Sequence, residues 1–195
     1  MRRAGAGGTL AGMPSDTIPR PQQGDVVDLI LDDHRLFEAL LRDLRDPTAD
    51  RALARQQLAD LLVAHGEAEE QHVYPGLVRT DAIEDEEAEH GEHEHAEINQ
   101  ALVALLECPG TDSQEFDDAV EDLATALNHH VNEEEQTILA PARTEVDEQA
   151  RATLGRTFLQ ARGELLDGDP VDADRVRGLV ERAEAKGLLD ADSGD

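Results

Sequence analysis

The chain is poor in aromatic residues: of 195 positions, three are Phe, one is Tyr and none is Trp. Its one cysteine, Cys108, cannot close an internal disulfide, which fits a reducing compartment and excludes a thiolate-rich structural zinc site. Positive charge is also scarce. Lys and Arg total 17 against 45 Asp and Glu, for a formal net charge of −28, and Lys186 is the only lysine. Nucleic acid and anionic lipid both require clustered cations, so neither nucleic acid nor a membrane surface is expected as a partner. No apolar run approaches the roughly 20 residues that a membrane span needs. The stretch from Ala4 to Gly12 holds a single large apolar residue, Leu10, and lacks the apolar centre of a secretory signal, so a cytoplasmic location is expected. The sequence also contains no Ser-His-Asp nucleophile arrangement, phosphate loop or dinucleotide fingerprint.

What it does contain is helical periodicity on a soluble background, with 39% apolar residues and a mean hydropathy of −0.53. Residues 1–23, with Pro14, Pro19 and Pro21 and no apolar period, read as a disordered tail. From Asp25, a first helix carries Ile30, His34, Phe37 and Leu41 on one stripe until Asp46-Pro47 ends it. A second, capped by Thr48 or Asp50, presents Leu58, Leu62, His65 and Glu69, and is expected to stop at Tyr74-Pro75-Gly76. A third runs from near Asp81 to Glu107, acidic and His-rich first, then amphipathic with His95, Ile98, Leu102 and Leu105. A fourth, capped by Ser113, carries Leu123, Leu127, His130, Glu134 and Ile138 up to Pro141. Two further amphipathic helices, 146–166 and 171–188, contain no histidine and are expected to pack on the bundle or form a homodimer contact. The expected fold is all-α: an up-down-up-down four-helix bundle over residues 24–143, with a helical extension over 144–195.

All eight histidines lie between positions 34 and 130, and four of them, one per bundle helix, sit on the apolar stripe of their own helix. His65 and His130 each have a glutamate four residues on, so imidazole and carboxylate share a helix face. The two segments also match as strings: His65-Gly-Glu-Ala-Glu-Glu-Gln runs on to Pro75, and His130-Val-Asn-Glu-Glu-Glu-Gln to Pro141. Any one such histidine reads more simply as a satisfied core residue. Buried carboxylates without partners are costly, however, and a single cation-binding centre would satisfy His34, His65, Glu69, His95, His130 and Glu134 together. Alternatives remain at the fourth helix. His65 to Pro75 is ten residues and His130 to Pro141 eleven, so either a one-residue bulge intervenes, or Glu135 or the pair His129–Glu133 supplies the ligands. His72 reads as an extra ligand or a capping residue. Tyr74 reads as a packed aromatic or a redox-active phenol, and His90 and His93 as parts of a solvated acidic run.

The stretches Leu31-Asp-Asp-His34-Arg, His65-Gly-Glu-Ala-Glu69-Glu, Glu94-His95-Ala-Glu-Ile98 and His130-Val-Asn-Glu-Glu134-Glu resemble the hemerythrin-like proteins with an HHE cation-binding domain, over roughly residues 25–143. The resemblance implies a four-helix bundle around a non-haem di-iron centre, with His34, His65, Glu69, His95, His130 and Glu134 as ligands. Mixed nitrogen and oxygen ligation across two metals fits iron best. One departure bears on function. Oxygen-carrying hemerythrins place two histidines four apart on the third helix, whereas the position four before His95 is Gly91. Reversible oxygen carriage loses ground, and redox chemistry, peroxide turnover or sensing gains it; the expected function is binding, sensing or redox response to oxygen, peroxide or nitric oxide. Peroxide disproportionation by an enzyme and passive cation or iron storage are the alternatives.

Overall fold

The computed structural model describes residues 18–189, and among these the chain is all-helical, without strands. Each bundle helix has a local reason to begin where it does. The Asp25 side chain accepts from the Val27 amide to open α1 (Val26–Arg45), and Asp50 accepts from Leu53 to open α2 (Arg51–Ala68). Reciprocal bonds between Glu84 and Glu87 open α4 (Asp85–Glu107), and Ser113 opens α5 (Gln114–Glu134).

The second and fourth rods differ from the sequence expectation. Neither stops at its proline. A π-turn, Glu69–Val73, follows α2 and leads into α3 (Tyr74–Val78); a second, Glu135–Leu139, follows α5 and leads into α6 (Ala140–Glu145). The Tyr74 amide reaches back to the Glu69 carbonyl and the Ala140 amide to that of Glu135, five residues in each case. Proline has no N–H, and its ring collides with the carbonyl four residues back. A wider turn just ahead of Pro75 and Pro141 absorbs both defects, and the helix continues. Each proline lies six residues after the first residue of its π-turn, so turn and proline move as a unit. In the His130 arm the glutamate four residues on, Glu134, therefore stands one residue ahead of its turn, whereas Glu69 is itself the first residue of its turn.

The apolar core is divided. One large cluster gathers Phe37, Leu41, Leu58, Leu102, Phe116 and Leu123, a second gathers Val26, Ile30, Val73, Tyr74, Leu77 and Ile138, and a small third joins Ala96 to Ala183 and Leu189 of the C-terminal extension. Along α1 and α4 the chain runs from the second cluster to the first, and along α2 and α5 it runs back, which is the up-down-up-down order. His34, His65, Glu69, His95, His130 and Glu134 fall at the crossover in every rod. The bundle is thus two apolar halves with a polar layer between them.

The extension packs onto this bundle. α7 (Glu148–Leu166), capped by Asp147, lies against α1 and α2, and Phe158 joins the second apolar cluster. Gly155 allows the close approach, because a Cβ there would run into the Gly24 carbonyl oxygen. α8 (Ala173–Lys186) lies along α4 and ends at Gly187 in the left-handed conformation, φ 78°. Of the expected tail, residues 1–17 fall outside the described residues. Residues 18–23 are held against α7: Arg20 donates to the Gly163 and Leu166 carbonyls, and Pro19 O accepts from Arg162. Among the described residues, no helix is long and apolar enough to cross a membrane.

Candidate metal centre

Within the polar layer, each histidine stripe meets its counterparts. His34 comes from α1, His65 from α2 and Glu69 from the π-turn behind it; His95 comes from α4, and His130 and Glu134 from α5. All six are buried, His95 being the most accessible at 6%. Their candidate ligand atoms form two sets, His34–His65–Glu134 and Glu69–His95–His130, with atoms in each set within 4.8 Å of one another. His34 Nε2 lies 3.1 Å from Glu134 Oε2, and His65 Nε2 lies 3.1 Å from Glu69 Oε2. His95 Nε2 stands 3.4 Å from the same Glu69 oxygen and 3.1 Å from His130 Nε2.

The outward nitrogens follow one rule. His34 Nδ1 meets Glu135 at 3.1 Å, His65 Nδ1 meets Asp33 at 3.2 Å, His95 Nδ1 meets Glu70 at 3.1 Å and His130 Nδ1 meets Glu94 at 3.0 Å. A carboxylate on Nδ1 fixes the Nδ1–H tautomer and turns the Nε2 lone pair inward, the arrangement found behind metal-ligating histidines. The inward atoms are left wanting. His34 Nε2, His65 Nε2, both Glu69 oxygens and Glu134 Oε2 are buried without a hydrogen-bond partner. Such atoms cost about 1–3 kcal/mol each, more when charged, unless something satisfies them. A cation would.

Their titration reflects the crowding. Burial opposes charge on His65, but Glu69 and Asp33 outweigh it and raise the ring to about 9. Burial likewise opposes charge on His95, and Glu69 with Glu70 raises it to about 10. Burial alone would raise the Glu69 carboxyl; the two imidazoles outweigh it and hold the group below its ordinary value. Burial and the neighbouring His95 hold the His130 ring below its ordinary value.

Two groups around the centre, Arg162 and Glu94, have no role in the sequence reading, and a third, Tyr74, enters it only as a packed aromatic or a redox-active phenol. Arg162, buried in α7, makes two 2.7 Å bonds to Asp33, the carboxylate that orients His65. The C-terminal extension, expected only to pack on the bundle or form a dimer contact, thus also reaches the carboxylate behind His65. Glu94, buried on α4, orients His130. Tyr74 donates to Glu134 Oε1 at 3.1 Å and lies stacked on His95, ring centroids 5.9 Å apart. Its phenol fills the space that Gly91 leaves: a Cβ on Gly91 would come within 2.9 Å of the ring and 3.0 Å of the hydroxyl. The gap in the third-helix pattern is therefore occupied by an aromatic from the second rod.

The alternatives at the fourth helix also have places. Glu135 is exposed and faces His34 Nδ1 rather than the centre. His129 and Glu133 lie at the surface, with His90 near them. His93 bonds the Leu188 carbonyl, and His72 is half-buried outside both sets.

A family model described as the hemerythrin HHE cation binding domain matches residues 25–142. No curated protein and no solved structure matches the chain.

Proposed function

The chain belongs to the hemerythrin HHE cation-binding domain family and so binds metal cations, and from that premise we propose that it is a non-haem di-iron protein that binds or responds to oxygen, peroxide or nitric oxide. In this reading His34, His65 and Glu134 hold one iron, and Glu69, His95 and His130 hold the other. One observation carries it: His34 Nε2, His65 Nε2, both Glu69 oxygens and Glu134 Oε2 are buried without a hydrogen-bond partner, while all four Nδ1 atoms are tied to carboxylates. Imidazole with carboxylate, and no thiolate, suits iron among the first-row ions. Iron held there supplies one-electron chemistry to a small bound ligand.

The protein's own groups do the rest. The two apolar clusters bury the layer between them. Arg162 through Asp33, and Glu70, Glu94 and Glu135 directly, set the direction of each imidazole. Tyr74 holds an O–H at Glu134, and burial with the Glu134 and Glu69 charges pushes that phenol well above its ordinary range, so it stays a proton donor. A donor at the centre favours peroxide turnover as the second reading, ahead of passive storage.

Anaerobic reconstitution with ferrous iron, metal counting, and exposure to oxygen or peroxide test both readings. Two irons per chain and new ferric charge-transfer absorption are expected. Fewer than one iron per chain, or no spectral change, refutes the di-iron reading. Oxygen evolution from peroxide favours turnover, and its absence alongside a changed spectrum favours binding or sensing.

A further inference from the structure

Outside the buried layer, a second group of ligating side chains converges from two helices. His90 and Glu94 on α4 and Glu133 on α5 bring one ligand atom each to within 4.8 Å of one another. His90 Nε2 lies 2.9 Å from Glu133 Oε2 and 3.7 Å from Glu94 Oε1. His129 flanks the same two carboxylates, its Nε2 3.6 Å from Glu94 Oε1 and 3.5 Å from Glu133 Oε1. Ligand atoms ~2.1 Å from one tetrahedral ion stand ~3.4 Å apart, close to three of these four separations.

The acidic run of α4 alone would not mark a site, since solvated carboxylates need no ion. Glu94 is different. It is 4% exposed, its Oε2 accepts from His130, and its Oε1 is buried without a hydrogen-bond partner while facing His90 and His129. A carboxylate oxygen in that position is costly unless paired or coordinated. The imidazoles beside it are accessible, His90 at 51% and His129 at 59% of the side chain, so an ion from solvent can reach them.

We propose that His90, Glu94 and Glu133 form a second, solvent-accessible cation site for a divalent transition ion, with His129 as a reserve fourth ligand. Three protein ligands leave a position for water, the composition of an open rather than a structural site. The ion would lie on the far oxygen of the carboxylate that orients His130, one residue removed from the buried centre.

Cobalt(II) titration by calorimetry and visible absorption tests this, at about pH 8, where fewer protons compete with the metal for its ligands. The protein is first loaded at its buried centre and its metal content counted, so that failure there is seen separately. One further equivalent with a distinct cobalt spectrum is expected. His90→Ala and Glu133→Gln should each weaken it at least tenfold. Glu94 is left intact because it also serves His130. Glu86→Gln, which removes a charge from the exposed start of α4, should leave the further equivalent unchanged. No further equivalent in the unaltered protein overturns the proposal. So does equal weakening by Glu86→Gln, which would mean diffuse attraction to a surface of net charge −28.

Discussion

Arg162→Met removes the guanidinium from Asp33 while keeping most of the side-chain bulk. Asp33 is buried, and its two oxygens each take a 2.7 Å bond from Arg162. Only the 3.2 Å contact with His65 would then remain among the side-chain partners of this carboxylate. Breaking a buried ion pair from one side costs about 3–5 kcal/mol, because a charge is left without compensation. At about 2–4 °C per kcal/mol for a chain of this length, Tm should fall by about 6–20 °C. Asp33→Asn in the same protein removes the stranded charge but keeps an oxygen for His65, so the double variant should recover most of the loss. Arg162→Lys should recover part, since an ammonium cannot repeat the two-pronged contact. Thermal unfolding of the metal-free chain, followed by circular dichroism, gives these numbers. Iron titration gives a second readout, in which loss of the His65 orientation should weaken binding about 10–100-fold. A Tm change under about 3 °C for Arg162→Met, or a double variant no more stable than the single, would refute the reasoning.

Two other expectations concern the centre. With metal absent, His65 at about 9 and His95 at about 10 are protonated near neutrality, so metal binding at pH 7 should release about two protons, measurable by calorimetry in buffers of different ionisation heat. Both values lie above the unfolded 6.5. Their contribution to metal-free stability is therefore complete below about pH 6.5 and lost as pH rises through 9 to 10, while metal affinity climbs over the same interval. Gly91→Ala should cost about 1–3 kcal/mol in urea unfolding, because its Cβ would press on the Tyr74 ring. A cost below about 0.5 kcal/mol would mean that the ring moves freely.

Much of the architecture can be read from the chain because each rod repeats its apolar stripe at helical spacing and carries its own cap. The six proposed ligands stand out for a related reason: imidazoles and carboxylates interrupt those stripes at one level in every rod. The groups that orient them leave no such trace. Asp33 and Arg162 are 129 residues apart, and nothing local to either announces the other. Glu94 sits in a run of acids from 84 to 97 whose composition does not distinguish the buried member from the exposed ones. Tyr74 is readable only together with Gly91, as a large side chain opposite a missing one. The π-turns were half legible: the unequal spacing to Pro75 and Pro141 signals an extra residue, but not that both rods widen.

None of the six inward residues exceeds 6% exposure, and apolar clusters close the layer on both sides. An ion at that depth cannot leave by simple dissociation into water. It must wait for a fluctuation that parts the rods, and such openings occur at rates belonging to the protein rather than to the ion. Release to an added chelator should then proceed at a rate that does not rise with chelator concentration. Metal exchange becomes a clock for the breathing of the bundle.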